Sequence, residues 1–284
     1  MTITPKRILG IYAHPDDEGG MSGALLHYAS SGVEGGLICA TRGEVGEIAD
    51  PALATPETLG QVREGELRAA AQVLGVQDQH VWFLGYRDSG MAGTADNDHP
   101  KAFDRVDREA AVGQIVAIIR EFRPQVLITF DKSGGYGHPD HIAIHHYATE
   151  AFFAAADPAR YPEAGTPFAP DKLYYASFPR EGLRAMAEWM NEHNPSGSVF
   201  RGADLDKFGL PEKEIDVWLN VERWTETKDT SWKKHRTQMG TVGPLESMPE
   251  DLRRRWRSYE TFHLGESRVG PDVPGENDLF ARIA

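Results

Sequence analysis

The sequence predicts an α/β fold with a Rossmann-like, mostly parallel sheet, helices on both faces and a smaller C-terminal elaboration. Two observations support this class. Short apolar runs of strand length alternate with segments of helical periodicity, and each run stops at a turn that opens the next helix. Because strands joined through helices need right-handed crossovers, this alternation implies parallel pairing.

The regular alternation begins near the N-terminus. Residues 7–13 form an apolar run that stops at a His-Pro pair, and a helical pattern with Met21, Leu25 and Tyr28 on one face follows. The further predicted elements are a strand at 36–41, a helix at 58–74, a strand at 80–84, a helix from Val112 to Phe122 and a buried strand at 126–130.

The C-terminal third is less regular. Residues 215–219 alternate like a strand, 222–239 have helical periodicity, and 194–210 are rich in loop-forming residues. We therefore expect a Rossmann-like catalytic core over residues 1–180. We expect residues 181–284 to form an α+β extension that packs on that core and shapes the choice of substrate.

Composition excludes several classes of partner. The 43 acidic residues exceed the 30 basic ones, and the formal net charge of -13 disfavours nucleic acid and anionic membranes. The basic run 253–257 is the local exception, and it is typical of a solvated helix face. No apolar stretch approaches the ~18 residues of a membrane span, nor does the N-terminus resemble a signal peptide, so we expect a cytoplasmic protein.

The one cysteine, Cys39, lies in an apolar run and is expected to be a buried strand thiol in a reducing compartment. The sequence is compatible with a homo-oligomer.

Two clusters carry the chemistry. The first, Ala-His-Pro-Asp-Asp-Glu at 13–18, follows the first strand, and the second, residues 131–141, ends in His-Pro-Asp-His after the buried strand 126–130. Both lie where parallel strands end, which is the ligand-binding edge of an open α/β sheet. A nucleotide site would need a glycine-rich turn there, whereas an imidazole and three carboxylates attract a cation.

These residues predict a catalytic zinc centre. If the two strands are neighbours, His14, Asp17 and His141 converge as two imidazoles and a carboxylate, a ligand set that leaves a position open for water. Adjacent side chains in an extended turn point apart, so Asp16 is free to act as a general base toward that water.

An oxyanion formed during hydrolysis needs a further donor. His138 suits this role if Asp140 or another carboxylate holds its ring and keeps it protonated, and Tyr136 can donate from the same loop. A duller explanation exists, since a His-Pro-Asp turn is usually a capped helix start with Asp17 and Glu18 at its dipole. Two such clusters after two apolar strands favour the metal site.

The remaining histidines have weaker claims. His145 lies one helical turn beyond His141 and is expected to be a packed or hydrogen-bonded neighbour of the site rather than a ligand. Spacing identifies no partner for the others, which we interpret as structural or exposed: His27, His80, His99, His146, His193, His235 and His263.

The two motifs together resemble the PIG-L/LmbE-like family of zinc-dependent N-acetylglucosaminyl deacetylases. Segments 87–94 and 134–137 are similar to the mycothiol-pathway members, the N-acetylglucosaminyl-inositol deacetylases and the S-conjugate amidases, and the similarity covers most of residues 7–150. The resemblance implies one Zn²⁺ per chain, held by His14, Asp17 and His141.

The resemblance also implies Asp16 as base and His138 with Tyr136 around the oxyanion. It adds Arg63 and Asp88 as contacts to the sugar. The alternatives are an exposed charge on a helix for Arg63 and an ordinary turn aspartate for Asp88. Glu44 and Glu47 either line the pocket or belong to an acidic surface loop.

The leading functional hypothesis is hydrolysis of the N-acetyl amide of an N-acetylglucosaminyl compound, of the inositol or malate type, with release of acetate. The first alternative is an amidase that removes a larger acyl group from a mycothiol-type conjugate by the same chemistry. The second is a non-catalytic sugar-binding module, which would have no need of Asp16. A nucleotide-dependent enzyme is suggested only by the fold class.

Overall fold

The sheet is built around a central strand, β1. The computed structural model describes residues 5–193, 204–238, 249–272 and 275–284. The strands are β1 (Arg7–Tyr12), β2 (Glu34–Cys39), β3 (Val81–Phe83), β4 (Val126–Phe130), β5 (Lys172–Ala176), β6 (Val217–Asn220) and β7 (Tyr259–Ser267). They form one sheet in the order β3-β2-β1-β4-β5-β7-β6, and β1 to β5 pair in parallel. The predicted mostly parallel α/β class is confirmed.

Helices cover both faces of this sheet. They are α1 (Ser22–Ala29), α2 (Leu59–Val73), α3 (Arg108–Phe122), α4 (Gly134–Gly137), α5 (Pro139–Ala154), α6 (Arg180–His193), α7 (Thr225–Trp232) and α8 (Glu250–Ser258). Helices α1 and α2 pack on one face, and α3 and α5 pack on the other. A 3-10 helix, Asp17–Met21, precedes α1.

The apolar runs are continuous because both faces of each parallel strand are buried. In β1, Ile8 belongs to the core under α1 and α2, while Leu9 belongs to the core under α3 and α5. Val126 and Leu127 of β4 alternate in the same way. Cys39 is buried at the end of β2, as predicted.

The C-terminal region continues the same sheet. Strand β7 pairs antiparallel with β5, and β6 pairs antiparallel with β7. The sequence pattern did not indicate β5, β7 or α6. The predicted loop at 194–210 lies largely outside the described residues, and its last part contains a 3-10 helix, Leu205–Lys207.

The helix predicted at 222–239 is shorter than its periodicity suggests. A 3-10 helix, Glu222–Trp224, leads into α7, which ends at Trp232. The chain leaves the helix because His235 and Thr237 turn inward and bond to buried carboxylates of other elements. Long-range hydrogen bonds here override local helix propensity.

The basic run 253–257 lies on α8, where Arg254 pairs with Glu222 and Arg257 with Asp229. None of the helices in the described ranges combines the length and apolarity that a bilayer crossing would require.

The strand order determines where this sheet can bind a ligand. The chain proceeds outward from β1 to β2 and β3, then returns to add β4 and β5 on the other side. The crevice at the carboxyl ends of β1 and β4 is therefore the topological switch point, where open α/β sheets bind ligands. Both predicted motifs follow these two strands.

Candidate active site

The turn after β1 orients the Asp17 carboxylate through backbone hydrogen bonds. Its Oδ2 accepts hydrogen bonds from the backbone N–H of His14, at 2.7 Å, and of Ala13, at 3.2 Å. These bonds hold the carboxylate beside the His14 ring, with Oδ2 3.6 Å from His14 Nδ1. Backbone donors thus orient this carboxylate within its own turn.

The segment after β4 delivers the second histidine. His138 is the N-cap of α5, Pro139 occupies the first turn, and His141 follows within that turn. The His141 ring stacks on Phe130 at 3.9 Å between centroids, and its Nδ1 donates to the carbonyl of Gly134 at 3.0 Å. With the hydrogen on Nδ1, the Nε2 lone pair of His141 faces the cavity.

Three candidate ligand atoms converge between the two strands. His141 Nε2 lies 3.1 Å from His14 Nδ1 and 3.3 Å from Asp17 Oδ1. Ligand atoms on one tetrahedral zinc, each about 2.1 Å from the metal, are separated by about 3.4 Å. The predicted set therefore has the spacing of a shared metal ion.

The Nε2 atom of His14, which points away from His141, is held by two carboxylates. His14 Nε2 lies 3.1 Å from Asp140 Oδ2 and 3.5 Å from Asp88 Oδ1. Burial opposes protonation of His14, but the hydrogen bonds to Asp140 and Asp88 outweigh it, so its pKa is raised well above the usual value. The site thus favours positive charge between the two rings, either as a proton or as a metal ion that replaces it.

Other donors surround the same ring. Among the described residues, potential ligand atoms of His14, His138 and His141 lie within 4.8 Å of one another, as do those of His14, Asp88 and Asp140. Asp88 and Asp140 approach the Nε2 side of His14, whereas Asp17 and His141 lie at its Nδ1 side. Asp88 and Asp140 are placed to orient the ring rather than to share its ligand.

Asp16 occupies a strained position beside Asp17. Its φ of 106° lies in the left-handed region that non-glycine residues seldom adopt. Its pKa is raised to about 7, first by burial and then by the negative charge of Asp17. A cation bound to Asp17 would offset part of that charge and lower the pKa. Asp16 lines the cavity, as a base acting on a ligand must.

The expected pairing of Asp140 with His138 is wrong. The Asp140 carboxylate bonds to His14 and to the backbone N–H of Ser89, at 3.0 Å, while its own backbone N–H donates to His138 Nδ1, at 3.1 Å. Burial, together with His14 and His141, lowers the pKa of His138 to about 4. His138 is therefore a neutral ring whose hydrogen resides on Nε2, where it remains a hydrogen-bond donor.

The remaining predicted residues line one cavity of about 960 Å³ that also contains the candidate ligands. Tyr136, on α4, is half exposed, and its ring centroid lies 5.1 Å from that of His141. Asp88 is buried, and its Oδ1 accepts from the backbone N–H of Gly90 at 2.8 Å. The structure brings both side chains to the cavity next to His14 and His141.

Arg63 reaches the cavity from α2, but its guanidinium also holds a loop. Nη1 donates to the carbonyl of Gly43 at 2.8 Å and Nη2 to that of Glu47 at 3.0 Å. Burial lowers the pKa of Arg63. Glu47 lines the cavity, whereas Glu44 accepts from the backbone N–H of Asp88 at 3.2 Å. Neither acidic residue is simply part of a surface loop.

His145 is not among the converging ligands, since its Nδ1 donates to the carbonyl of Phe130 at 2.9 Å. His235 was expected to be structural or exposed, without an identified partner. It is buried, and its Nε2 lies 2.6 Å from Oε1 of Glu18 in the first motif. Because 217 positions separate the pair, no local spacing could indicate it.

The C-terminal region also supplies cavity walls that sequence patterns did not predict. They include Trp218, Lys228, Trp232, Gln238, Trp256 and Tyr259. Phe178 and Trp256 stack at 4.9 Å between ring centroids. The C-terminal region thus adds aromatic side chains, together with charged and polar ones, to a cavity that the two motifs also line.

Comparisons with known proteins agree with this geometry. The model of the family described as "PIG-L: GlcNAc-PI de-N-acetylase" matches residues 9–152, which include both motifs. A 1D-myo-inositol 2-acetamido-2-deoxy-alpha-D-glucopyranoside deacetylase of Geodermatophilus obscurus is 39% identical, over 99% of each chain. The protein of that name from Streptomyces avermitilis is 38% identical, again over 99% of each chain.

Among solved structures, N,N'-diacetylchitobiose deacetylase from Pyrococcus horikoshii superposes with a TM-score of 0.61. It is 20% identical, and the match covers 98% of this chain and 86% of that one. At this identity the likeness shows the fold. The full-length relatives and the family match confirm the resemblance noted for the two motifs: the chain belongs to the PIG-L family of GlcNAc-PI de-N-acetylases.

Proposed function

We propose that this protein hydrolyses the N-acetyl amide of an N-acetylglucosaminyl compound, releasing acetate and a free amine, with zinc as its metal. The observation that carries the proposal is the convergence of His14, Asp17 and His141, with Asp16 adjacent in the same cavity. The names of the full-length relatives favour an inositol glycoside as the first substrate to test.

Zinc suits two imidazoles and one carboxylate. Asp140 accepts from Nε2 of His14, and the carbonyl of Gly134 accepts from Nδ1 of His141. Each ring therefore presents a defined lone pair on its other nitrogen. A zinc ion held there would polarise the acetyl carbonyl and lower the pKa of a water molecule toward about 7.

Asp16 serves as the general base. Its carboxylate takes a proton from the water molecule that attacks the acetyl carbon, and then gives that proton to the departing amine nitrogen. A carboxylate that lines the cavity beside the metal site is placed to do both. The division of labour between Asp16 and Asp17 follows from the turn, because Asp17 is occupied by backbone donors and by the two histidines.

His138 stabilises the oxyanion as a neutral donor. Its Nδ1 accepts the N–H that begins α5, so the hydrogen on Nε2 is available to the tetrahedral oxygen. Tyr136 adds a hydroxyl donor from the same loop, and the partial desolvation of its ring within the cavity, together with the nearby carboxylates, raises its pKa and keeps that hydroxyl protonated. Asp140 acts through His14 rather than through His138.

The sugar contacts fall to Arg63 and Asp88. Asp88 uses Oδ1 for the Gly90 N–H and offers its remaining acceptor capacity to a hydroxyl. Arg63 holds the cavity loop at Gly43 and Glu47 and brings its guanidinium charge to the cavity wall. The cavity walls supplied by residues 181–284, which include Trp218, Trp232 and Trp256, shape the choice of the substituent on the amino sugar.

The test is amine release by the zinc-loaded protein from N-acetylglucosaminyl-inositol, N-acetylglucosaminyl-malate and simple N-acetylglucosaminides, with the released acid identified. Acetate together with a free amine from one member supports the proposal. Release of a bulkier acid from a thiol conjugate, without acetate from any member of the panel, would establish the amidase instead. Sugar binding without turnover would indicate the binding module.

A further inference from the structure

The strained backbone of Asp16 is held at both of its peptide groups. Its N–H donates to Oε2 of Glu18 at 3.0 Å, and its carbonyl accepts from the N–H of Gly19 at 2.9 Å. A non-glycine residue at a φ of 106° persists only where its surroundings hold it. Glu18 is therefore a direct support of the turn that carries the base.

Glu18 is in turn held by the C-terminal region. Its other oxygen, Oε1, accepts from His235 Nε2 at 2.6 Å, and both side chains are buried. The carboxylate thus bridges His235 and the backbone of Asp16. Since a short charge-assisted hydrogen bond is directional, the position of His235 sets the orientation of this carboxylate.

A second bond from the same segment holds the same peptide group, the one that joins Pro15 to Asp16, at its carbonyl. Gln238 Nε2 donates to the carbonyl of Pro15 at 2.8 Å. The segment itself is anchored to α2 by Thr237, whose N–H and hydroxyl donate to the carboxylate of Glu66 at 2.9 and 2.6 Å. Residues 235–238 therefore form a clamp segment that holds both polar atoms of the Pro15–Asp16 peptide group, its N–H through Glu18 and its carbonyl directly.

We propose that His235 is a positioning residue for the base: through Glu18 it holds the Asp16 turn in its strained conformation and aims the carboxylate into the cavity. This inference rests on the proposed function, because Asp16 is the base of that reaction. The two ties meet the backbone at Pro15 and Asp16, and neither touches the candidate metal ligands. The clamp segment is thus expected to affect turnover rather than metal binding.

The experiment compares four zinc-loaded variants with the wild type. His235→Ala removes the tie to Glu18, and His235→Gln keeps an N–H donor that can reach it. Gln238→Met removes the second tie while preserving side-chain length. Tyr28→Phe is the stability control, because it deletes the hydroxyl that donates to Asp278 and accepts from the Leu279 N–H, and because Tyr28 does not line the cavity.

Two readouts are measured. Because misplacement of a catalytic group by about 1 Å can cost about a hundredfold in rate, His235→Ala is expected to lower kcat at least about tenfold. Its KM changes by less than about threefold and its zinc content is unchanged, since ground-state binding is kept. His235→Gln recovers most of kcat, Gln238→Met loses a smaller part, and Tyr28→Phe loses stability without losing kcat.

The second readout does not need turnover. Hydrogen exchange of the backbone amides in residues 13–20 is expected to accelerate about tenfold in His235→Ala and to stay unchanged in Tyr28→Phe. If wild-type protein releases no amine, the proposed function fails, while the exchange data still show whether His235 holds the turn. If His235→Ala matches Tyr28→Phe in both exchange and kcat, the positioning role is overturned.

Discussion

Asp140 Oδ2 lies 3.1 Å from His14 Nε2, on the side of the imidazole ring opposite the His141 contact. This carboxylate, which is fully buried at the start of α5, fixes which nitrogen of His14 is free to bind a metal. The second motif therefore contributes to the site twice, through His141 as a candidate ligand and through Asp140 as the support of the first motif's histidine.

Removing that support should weaken metal binding without abolishing it. Asp140→Ala is expected to lower zinc affinity by about 10- to 100-fold, because His14 loses the acceptor that orients its ring. Competition with a fluorescent chelator measures the change. Asp104→Ala is the matched control, since Asp104 bonds to Ser89 one step farther away, and its zinc affinity should stay near that of the wild type. Equal affinities for both variants would contradict the role given to Asp140.

Gly134 should tolerate no side chain. Its φ is +63°, and a Cβ there would lie 2.7 Å from the Cβ of His141. Gly134→Ala is expected to cost roughly 2–5 kcal/mol in free energy of unfolding, through backbone strain and overpacking, and to reduce zinc affinity. Gly32→Ala is expected to lower the free energy of unfolding by only about 1–2 kcal/mol, from backbone strain. A Cβ at Gly32, whose φ is +84°, meets nothing within 4 Å.

Chemical denaturation and zinc titration of the two glycine variants separate the contributions. The account predicts a stability loss in both variants but a zinc defect only in Gly134→Ala. Normal zinc binding by Gly134→Ala would mean that the His141 position does not depend on this close approach.

The parts of the fold that the sequence predicted are those whose signals are local. Strand β4 coincides with its apolar run because both of its faces are buried, and the two motifs lie at adjacent strand ends because β1 and β4 pair in parallel. Strand β7 escaped prediction because only residues 260–262 of Tyr259–Ser267 are buried and two of them are polar, so it lacks a long apolar run. Its position depends on pairing with β5 and β6.

The site residues also divide into those with a local sequence signal and those that depend on long-range contacts. His14, Asp17 and His141 were predicted from residue types and spacing, whereas the Asp140 contact was assigned to the wrong histidine. The sequence indicates that Asp140 lies near His138 and His14, because the two motifs follow neighbouring strands. Only the geometry of the α5 N-cap shows that His138 Nδ1 accepts a backbone N–H and that the Asp140 carboxylate binds His14. The His235–Glu18 pair had no sequence signal at all, since it joins two turns far apart in the chain.

The donor role of His138 predicts a graded series. His138→Gln keeps an N–H donor and is expected to retain more kcat than His138→Phe, which should lose about 100- to 1000-fold, the usual cost of removing an oxyanion donor. Steady-state rates on the best N-acetylated substrate measure the difference. Because His138 has a pKa of about 4 and acts as a neutral ring, the Gln variant need not carry charge. Equal losses in the two variants would instead favour a proton-transfer role.

The buried pair of His235 and Glu18 predicts a pH-dependent stability. Burial lowers the pKa of His235, but the charge and hydrogen bond of Glu18 outweigh it, so the net pKa is raised above the usual value of about 6.5. The folded protein then binds more protons than the unfolded chain. The stabilisation is complete below the unfolded pKa and is lost as pH rises through the folded pKa.

Urea denaturation between pH 6 and 9 checks this sign. The free energy of unfolding of the wild type should exceed that of His235→Gln most at pH 6, and the gap should narrow as pH rises above about 6.5. For Tyr28→Phe the gap to the wild type should stay constant, because hydrogen bonding and burial raise the pKa of Tyr28 out of this range. A gap that widens with pH would show that His235 is neutral when folded.

The most direct test of the account is amine release by zinc-loaded Asp16→Asn. Asparagine tolerates positive φ, so the substitution removes the base and leaves the turn and the three candidate ligands in place. The account predicts normal zinc content and a loss of kcat of at least about 100-fold relative to the wild type. Turnover by Asp16→Asn within about threefold of the wild type would contradict the assignment of Asp16 as the base, and with it the proposed mechanism.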